Sequence, residues 1–132
     1  MTIFEIAARL PNGFHDAEVE TIHIDYLHRT MELTLDVWIG TMADPPSTRE
    51  TYRKGVLTIT GLQYCAMDVP DERYPFAEPD AITIDLAEAT EFQPEGAAFA
   101  CRLWVNEWNR FIHVSGTSAE LAWRAEPINR GA

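Results

Sequence analysis

Residues 18–39 read EVETIHIDYLHRTMELTLDVWI, two runs of alternating apolar residues on either side of a short polar stretch. Ile22, Ile24 and Tyr26 share one parity and Thr21, His23 and Asp25 the other. Further on, Met31, Leu33, Leu35, Val37 and Ile39 alternate with Glu32, Thr34, Asp36 and Trp38. A period of two is that of a half-buried strand, so the stretch predicts a β-hairpin. With Leu27, His28, Arg29 and Thr30 as the turn, Tyr26 pairs with Met31, Ile24 with Leu33 and Ile22 with Leu35, which makes one face wholly apolar. A one-residue slip would bury charge, so the pattern decides which face is inside. The remaining chain must cover that face.

Upstream, Ile3, Ile6, Ala7 and Leu10 fall on one face of a helix over residues 2–10, where Thr2 and Glu5 have capping-box spacing and Pro11, Asn12 and Gly13 end the run. So short a helix needs support from the sheet or a neighbouring subunit. A membrane-surface helix would carry basic residues on its polar face, and this one offers Glu5 and Arg9, so core packing is the expectation. Downstream, residues 40–51 lose periodicity around Pro45 and Pro46 and read as an exposed loop. Residues 52–67 read as one bent strand or two, with the phase changing at Gly61. Ile82, Ile84 and Leu86 mark another strand.

A second hairpin follows. Phe99, Cys101, Leu103 and Val105 alternate, residues 106–109 turn, and residues 110–115 return. The pairing sets Val105 against Arg110, Leu103 against Ile112 and Cys101 against Val114. On the opposite face Trp104 meets Phe111 and Arg102 meets His113. Apolar groups on both faces suit a strand pair covered on two sides, or else a contact patch for a partner or a second copy. A last strand includes Leu121 and Trp123, and the tail from Ala125 is expected to fray. The expected fold class is all-β and mainly antiparallel, a sandwich or partly closed barrel of about seven strands with one short N-terminal helix, in a single domain over residues 1–132.

The 132 residues suffice for a core that needs no staples. Two cysteines, Cys65 and Cys101, and no basic leader or long apolar run suggest a cytoplasmic protein with both thiols reduced, and a single disulfide is the alternative. A net charge of −11 opposes binding to nucleic acid or to anionic membrane, and first of all serves solubility.

Phe14-His15-Asp16-Ala17-Glu18, followed by Ile22, Asp25-Tyr26, Arg29 and the strand Leu33 to Val37, resembles the opening of certain small bacterial proteins of unassigned role, among which are counted immunity proteins that neutralise toxins. The resemblance covers the first third of the chain. It implies a protein partner and brings no catalytic residue with it.

Four residues on the polar face of the first hairpin, His23, Asp25, Glu32 and Asp36, form the candidate metal site. The expected pairing sets Asp25 opposite Glu32 and Thr21 opposite Asp36, and facing carboxylates repel unless a cation joins them. Alternating charge is also what a solvated sheet face requires, and supporting second-shell partners are not evident in the sequence. His15 and Asp16 offer a base beside a carboxylate, but neighbours in extended chain point apart, so Asp16 is expected to cap a turn and His15 to pack near the hairpin. No nucleophile elbow, phosphate-binding glycine loop or zinc spacing occurs, so an enzyme is disfavoured and no cofactor is expected.

The proline-rich, acidic stretch 68–80 is a long loop, and its Asp71, Glu72, Tyr74 and Phe76, together with Trp104 and Phe111, form the candidate interaction surface. A non-catalytic, acidic protein-interaction module of immunity type is therefore the first reading. A small-molecule or metal-binding domain, with hydrolase activity as one form, is the second, and a homodimer through Trp104 and Phe111 is the third.

Overall fold

The computed structural model describes residues 1–69, 71, 73, 80–89 and 94–131. Within them lie two short helices, α1 (Ile3–Ala8) and α2 (Pro46–Arg49), and nine strands. The strands are β1 (Ala17–Asp25), β2 (Thr30–Trp38), β3 (Thr51–Thr60), β4 (Tyr64–Met67), β5 (Ile82–Glu88), β6 (Phe99–Val105), β7 (Arg110–Gly116), β8 (Ser118–Trp123) and β9 (Ile128–Asn129). The sheet runs β4-β7-β6-β5-β1-β2-β3-β8, with β9 on the start of β3, and every pairing is antiparallel. The fold is thus all-β, with a sheet that is not closed.

One apolar cluster joins the two halves of this sheet. Met31, Leu33, Leu35 and Val37 of β2 and Leu57 and Ile59 of β3 share it with Leu103 and Val105 of β6 and Ile112 and Val114 of β7. A sheet whose distant strands bury the same side chains must fold over on itself, which gives two sandwich-like layers. Direct pairing between the halves is confined to Ala17–Val19 of β1 against Ile82–Ile84 of β5. Two corners complete the link. The chain leaves β3 for β4 through Gly61 (φ 60°), and it leaves β7 for β8 through Gly116 and Thr117, whose backbone N–H donates to the Thr60 carbonyl.

The second hairpin pairs as its sequence predicts, with Leu103 on Ile112, Trp104 on Phe111 and Arg102 on His113. The first hairpin pairs two residues away from expectation. Ile24 lies opposite Met31 and Ile22 opposite Leu33, and the turn is residues 26–29. The physical cause is Asp25. Its carboxylate accepts from the backbone N–H of Leu27 and of His28, and Arg29 takes a positive φ of 56°, so the reversal starts at Tyr26, which is left exposed. A shift of two keeps the faces. A bulge between Val19 and Thr21 then changes parity, so that Ala17 and Val19 are buried on the same side as Leu33.

Two further expectations are corrected. The loop 40–51 contains α2, opened by Pro46 at a position where a missing N–H costs nothing. The tail does not fray. Its β9 pairs with Thr51 and Tyr52, the Arg130 backbone N–H donates to the Glu50 carbonyl, and the Arg130 guanidinium lies over the Tyr52 ring at 3.9 Å and 2.6 Å from Glu18. The added β9, with β4 set apart from β3, raises the strand count above seven.

Helix α1 docks on the sheet. Thr2 and Glu5 make the reciprocal capping box, Ile3 and Ile6 are buried, and the Met1 carbonyl accepts from Ala119 of β8. That edge of the sheet is therefore partly covered. The opposite edge, β4, has no strand beyond it among the described residues. Cys65 and Cys101 are both free, and burial pushes the Cys101 thiol up to about 12, with the neighbouring Cys65 adding to the effect. Neither is a poised nucleophile.

Candidate functional site

The four residues of the first hairpin's polar face do not converge. His23 and Glu32 are exposed cross-strand partners, while Asp25 is engaged by its turn, where the His28 backbone N–H and imidazole hold its carboxyl below the usual range. Asp36 lies far along β2 in a network of cations. It is 3.5 Å from Arg130 and 3.9 Å from Lys54, which also pairs with Glu20. Partial burial and the neighbouring Glu20 raise its carboxyl, and the ammonium of Lys54 lowers that of Glu20. The face is a solvated ion-pair network that ties down the tail.

His15 and Asp16 do meet, contrary to the extended-chain expectation. Asp16 adopts φ 54°, which turns its carboxylate back to within 3.3 Å of His15 Nε2. His15 Nδ1 hydrogen-bonds Asp85 of β5. One donor atom from each of the three residues lies within 4.8 Å of the others, a spacing a cation could bridge, although here the imidazole itself bridges the carboxylates. Beside it, Asn12, Trp38, Met42, Glu50 and Tyr52 line a cleft of about 380 Å³.

With a carboxylate at each nitrogen, the protonated ring is favoured, and the Asp85 hydrogen bond raises the His15 pKa above its ordinary value. The corresponding stability is fully present below about pH 6.5 and is lost as pH rises through the higher folded value. The ring is mostly exposed, so the contribution stays below about 1 kcal/mol. In an NMR titration, Asp85→Asn should lower the His15 midpoint; an unchanged midpoint would show that this bond does not set it.

The third locale is the outer face of β4, β7 and β6. The strand parity places Tyr64, Ala66, Ala100, Arg102, Trp104, Phe111, His113 and Ser115 there, away from the core. The Trp104 and Phe111 rings meet edge to face at 5.0 Å, and the Arg102 guanidinium lies 4.6 Å from the Phe111 centroid. Trp104 Nε1 donates to Asn106. His113 Nε2 is 2.8 Å from Asp68 Oδ1, and the other oxygen of Asp68 accepts from the Phe111 backbone N–H. A cleft of about 460 Å³ opens beside these groups, bounded also by Met67, Val69 and Ala89.

Ser115 lines this cleft, is 1% exposed, and its hydroxyl has no hydrogen-bond partner among the described residues. A buried hydroxyl left so costs roughly 1–3 kcal/mol. Ser115, His113 and Asp68 are the residue types of an acyl-transfer triad, but no bond joins the hydroxyl to the imidazole, so the nucleophile–base contact is missing.

Asp71 is buried and turned inward. It accepts from the Arg73 backbone and guanidinium, from Asn109 at 3.3 Å and from Arg110 at 3.3 Å, and Arg73 holds its carboxyl well below the usual range. It ties Arg73 to Asn109 and Arg110 at the start of β7 rather than presenting charge. Glu72, Tyr74 and Phe76 lie outside the described residues. The expected hairpin pairing already sets Arg102 beside His113. Asp68, Asp85 and Ser115 carry no local signal, because each gains its meaning from a strand distant in sequence.

The fold and this face define an antiparallel, open-sheet β domain with a mixed aromatic and cationic outer surface. No family model matches the chain, and no curated protein matches it. Among solved structures, the crystal structure of an uncharacterized protein from Neisseria gonorrhoeae is similar over 81% of this chain and 90% of that one, with 11% sequence identity and a TM-score of 0.41. So loose an overlap does not bear on function. Among the described residues, no helix is long and apolar enough to cross a membrane.

Proposed function

We propose that the chain is a non-catalytic protein-interaction module of the bacterial cytoplasm, of the immunity kind, which meets its partner at the β4 edge and the adjoining outer face. The observation that carries this reading is the asymmetry of the sheet's two ends. The β8 end is partly covered by α1 and Met1, whereas β4 is bare among the described residues, with large apolar groups displayed at its end and just beyond it, Met67 51% and Val69 83% exposed. Unpaired edges with exposed apolar residues are liabilities unless something docks on them.

The backbone suits such docking. Asp68 N–H donates to the Phe111 carbonyl, so in the same ladder Tyr64 and Ala66 face β7 while the peptide groups of Cys65 and Met67 face outward. A partner strand could pair there, with Trp104 and Phe111 as the aromatic contact. The net charge of −11 would speed encounter with a basic partner at low salt.

The test is capture from the source cell on immobilised protein, with Met67→Asp and Trp104→Glu as comparisons. A specific protein retained by the wild type and lost by both variants, at unchanged melting temperature, is the expected result. Equal retention by all three would overturn the placement of the surface. Light scattering on the same proteins identifies the case in which the partner is a second copy.

A further inference from the structure

We propose that His15, Asp16 and Asp85 form a binding site for one divalent transition-metal ion, with Zn²⁺ the best match to the donors, and that the ion ties the turn before β1 to β5. The proposal goes beyond partner docking and does not depend on it, since none of the three residues belongs to the β4 edge.

Among the described residues, this is the place where three metal-ligating side chains bring their donor atoms together. One imidazole nitrogen and one oxygen from each carboxylate lie within 4.8 Å of one another. Atoms bound to one Zn²⁺ sit about 2.0–2.2 Å from it, and so about 3–4 Å from each other. His15 Nε2 and Asp16 Oδ2 already stand 3.3 Å apart, and His15 Nδ1 is hydrogen-bonded to Asp85. What remains is a small rotation of side chains that are largely in solvent. The ring nitrogen that takes the metal gives its proton to water and its lone pair to the ion.

The cluster differs from ordinary surface acid in two respects besides its nitrogen donor. Glu18, Glu20, Asp36 and Asp71 each face an arginine or a lysine. Among the described residues, the charged partner of Asp16 and of Asp85 is His15 alone. Two carboxylates against one imidazole leave the group negative in either state of the ring. The second respect is the open side. His15 and Asp16 line the cleft of about 380 Å³, with Asn12 and Glu50 also on its walls. The Asn12 amide nitrogen is spent on the Trp38 and Gly40 carbonyls, so an acceptor oxygen is what Asn12 has left to offer. Acceptors at that side suit the waters that complete a metal's coordination.

One imidazole with two carboxylates favours Zn²⁺ over Mg²⁺ and Ca²⁺, which prefer oxygen throughout. Position gives the ion its role. The two halves of the sheet pair directly only where Ala17–Val19 meets Ile82–Ile84, and the three ligands sit at the end of that short ladder, one step beyond Ala17 and Ile84. A bound ion would extend the ladder by a metal link.

The experiment is calorimetric titration of the chelator-treated full chain with Zn²⁺, Mg²⁺ and Ca²⁺, with Mn²⁺ as a paramagnetic probe in NMR. Asp16→Asn and Asp85→Asn are the test variants, since each keeps the side chain's shape and asparagine tolerates the left-handed backbone at position 16. His28→Gln is the control, because His28 and Asp25 form the other exposed imidazole–carboxylate pair close to β1. The expected result is saturable binding of one Zn²⁺, weakened at least tenfold in both test variants and unchanged in the control. Mn²⁺ should broaden the signals of His15, Asp16 and Asp85 first. At Zn²⁺ about 100-fold above its Kd the melting temperature should rise by about 5–10 °C in the wild type and by much less in the test variants. Melting of each variant in chelator shows that it is folded. Absence of saturable Zn²⁺ binding up to about 1 mM, equally tight Mg²⁺ or Ca²⁺, unchanged affinity in both test variants, or loss of binding in His28→Gln would overturn the site.

Discussion

Replacing Phe14 with alanine should cost about 3–5 kcal/mol of stability, read as a fall in the urea midpoint, because it removes an aromatic ring from the core and leaves a cavity. Phe14 is 2% exposed and belongs to the one apolar cluster that joins both layers. The contrast with the next residue makes the test specific. His15→Ala removes a largely exposed ring whose partners are surface carboxylates, and it should cost less than about 1 kcal/mol. Equal losses at the two positions would show that Phe14 does not anchor the core.

The same contrast gives Phe14-His15-Asp16-Ala17-Glu18 a structural meaning. Phe14 and Ala17 are buried, Asp16 takes the left-handed turn into β1 and reaches back to His15, His15 bonds β5, and Glu18 holds Arg130 of the tail. Each residue of the motif joins two parts of the fold. The motif is therefore accounted for by the architecture, and the proposed role rests on the β4 edge.

Gly61→Val should be the second severe change, with a loss of about 2–5 kcal/mol. A left-handed conformation costs an ordinary residue roughly 1–2 kcal/mol, and crowding a packed site adds roughly 1–3 kcal/mol. Gly61 has φ 60°, and a Cβ there would overlap the side chain of Thr117, which sits on the other corner. The two crossings between layers thus touch each other, and a branched residue at one displaces the second. Chemical denaturation measures the loss; a cost below about 1 kcal/mol would mean that the corner yields without disturbing the layers.

The strands could be read from the sequence because period-two patterning depends on one buried face, and β2, β3, β6 and β7 each have one. The register of the second hairpin followed because its apolar runs abut a four-residue turn without irregularity. The first hairpin defeated the same logic at two points. Asp25 captures the N–H groups of Leu27 and His28 and pulls the turn forward, and an inserted residue before Thr21 reverses parity. Neither event alters hydropathy, so neither shows in the pattern. The order of the tail is hidden for a related reason, since Arg130 looks like a surface residue until Glu18, Asp36 and Tyr52 are brought beneath it. The candidate site was accessible only where it lies within one hairpin, as at Trp104, Phe111, Arg102 and His113. Asp68 and Tyr64 reach that face through β4, whose pairing with β7 spans a separation no local period encodes.

The functional reading turns on whether the β4 edge is bare in the free protein, and residue-resolved amide hydrogen exchange measures this directly. Leu33 and Leu35, central in the sheet and fully buried, should be among the slowest amides. Along β4, Tyr64 and Ala66 should be protected by their bonds to β7, while Cys65 and Met67 should exchange orders of magnitude faster. Protection of Cys65 and Met67 comparable to that of Leu33 would mean that the edge is already covered, and the proposed docking surface would be contradicted.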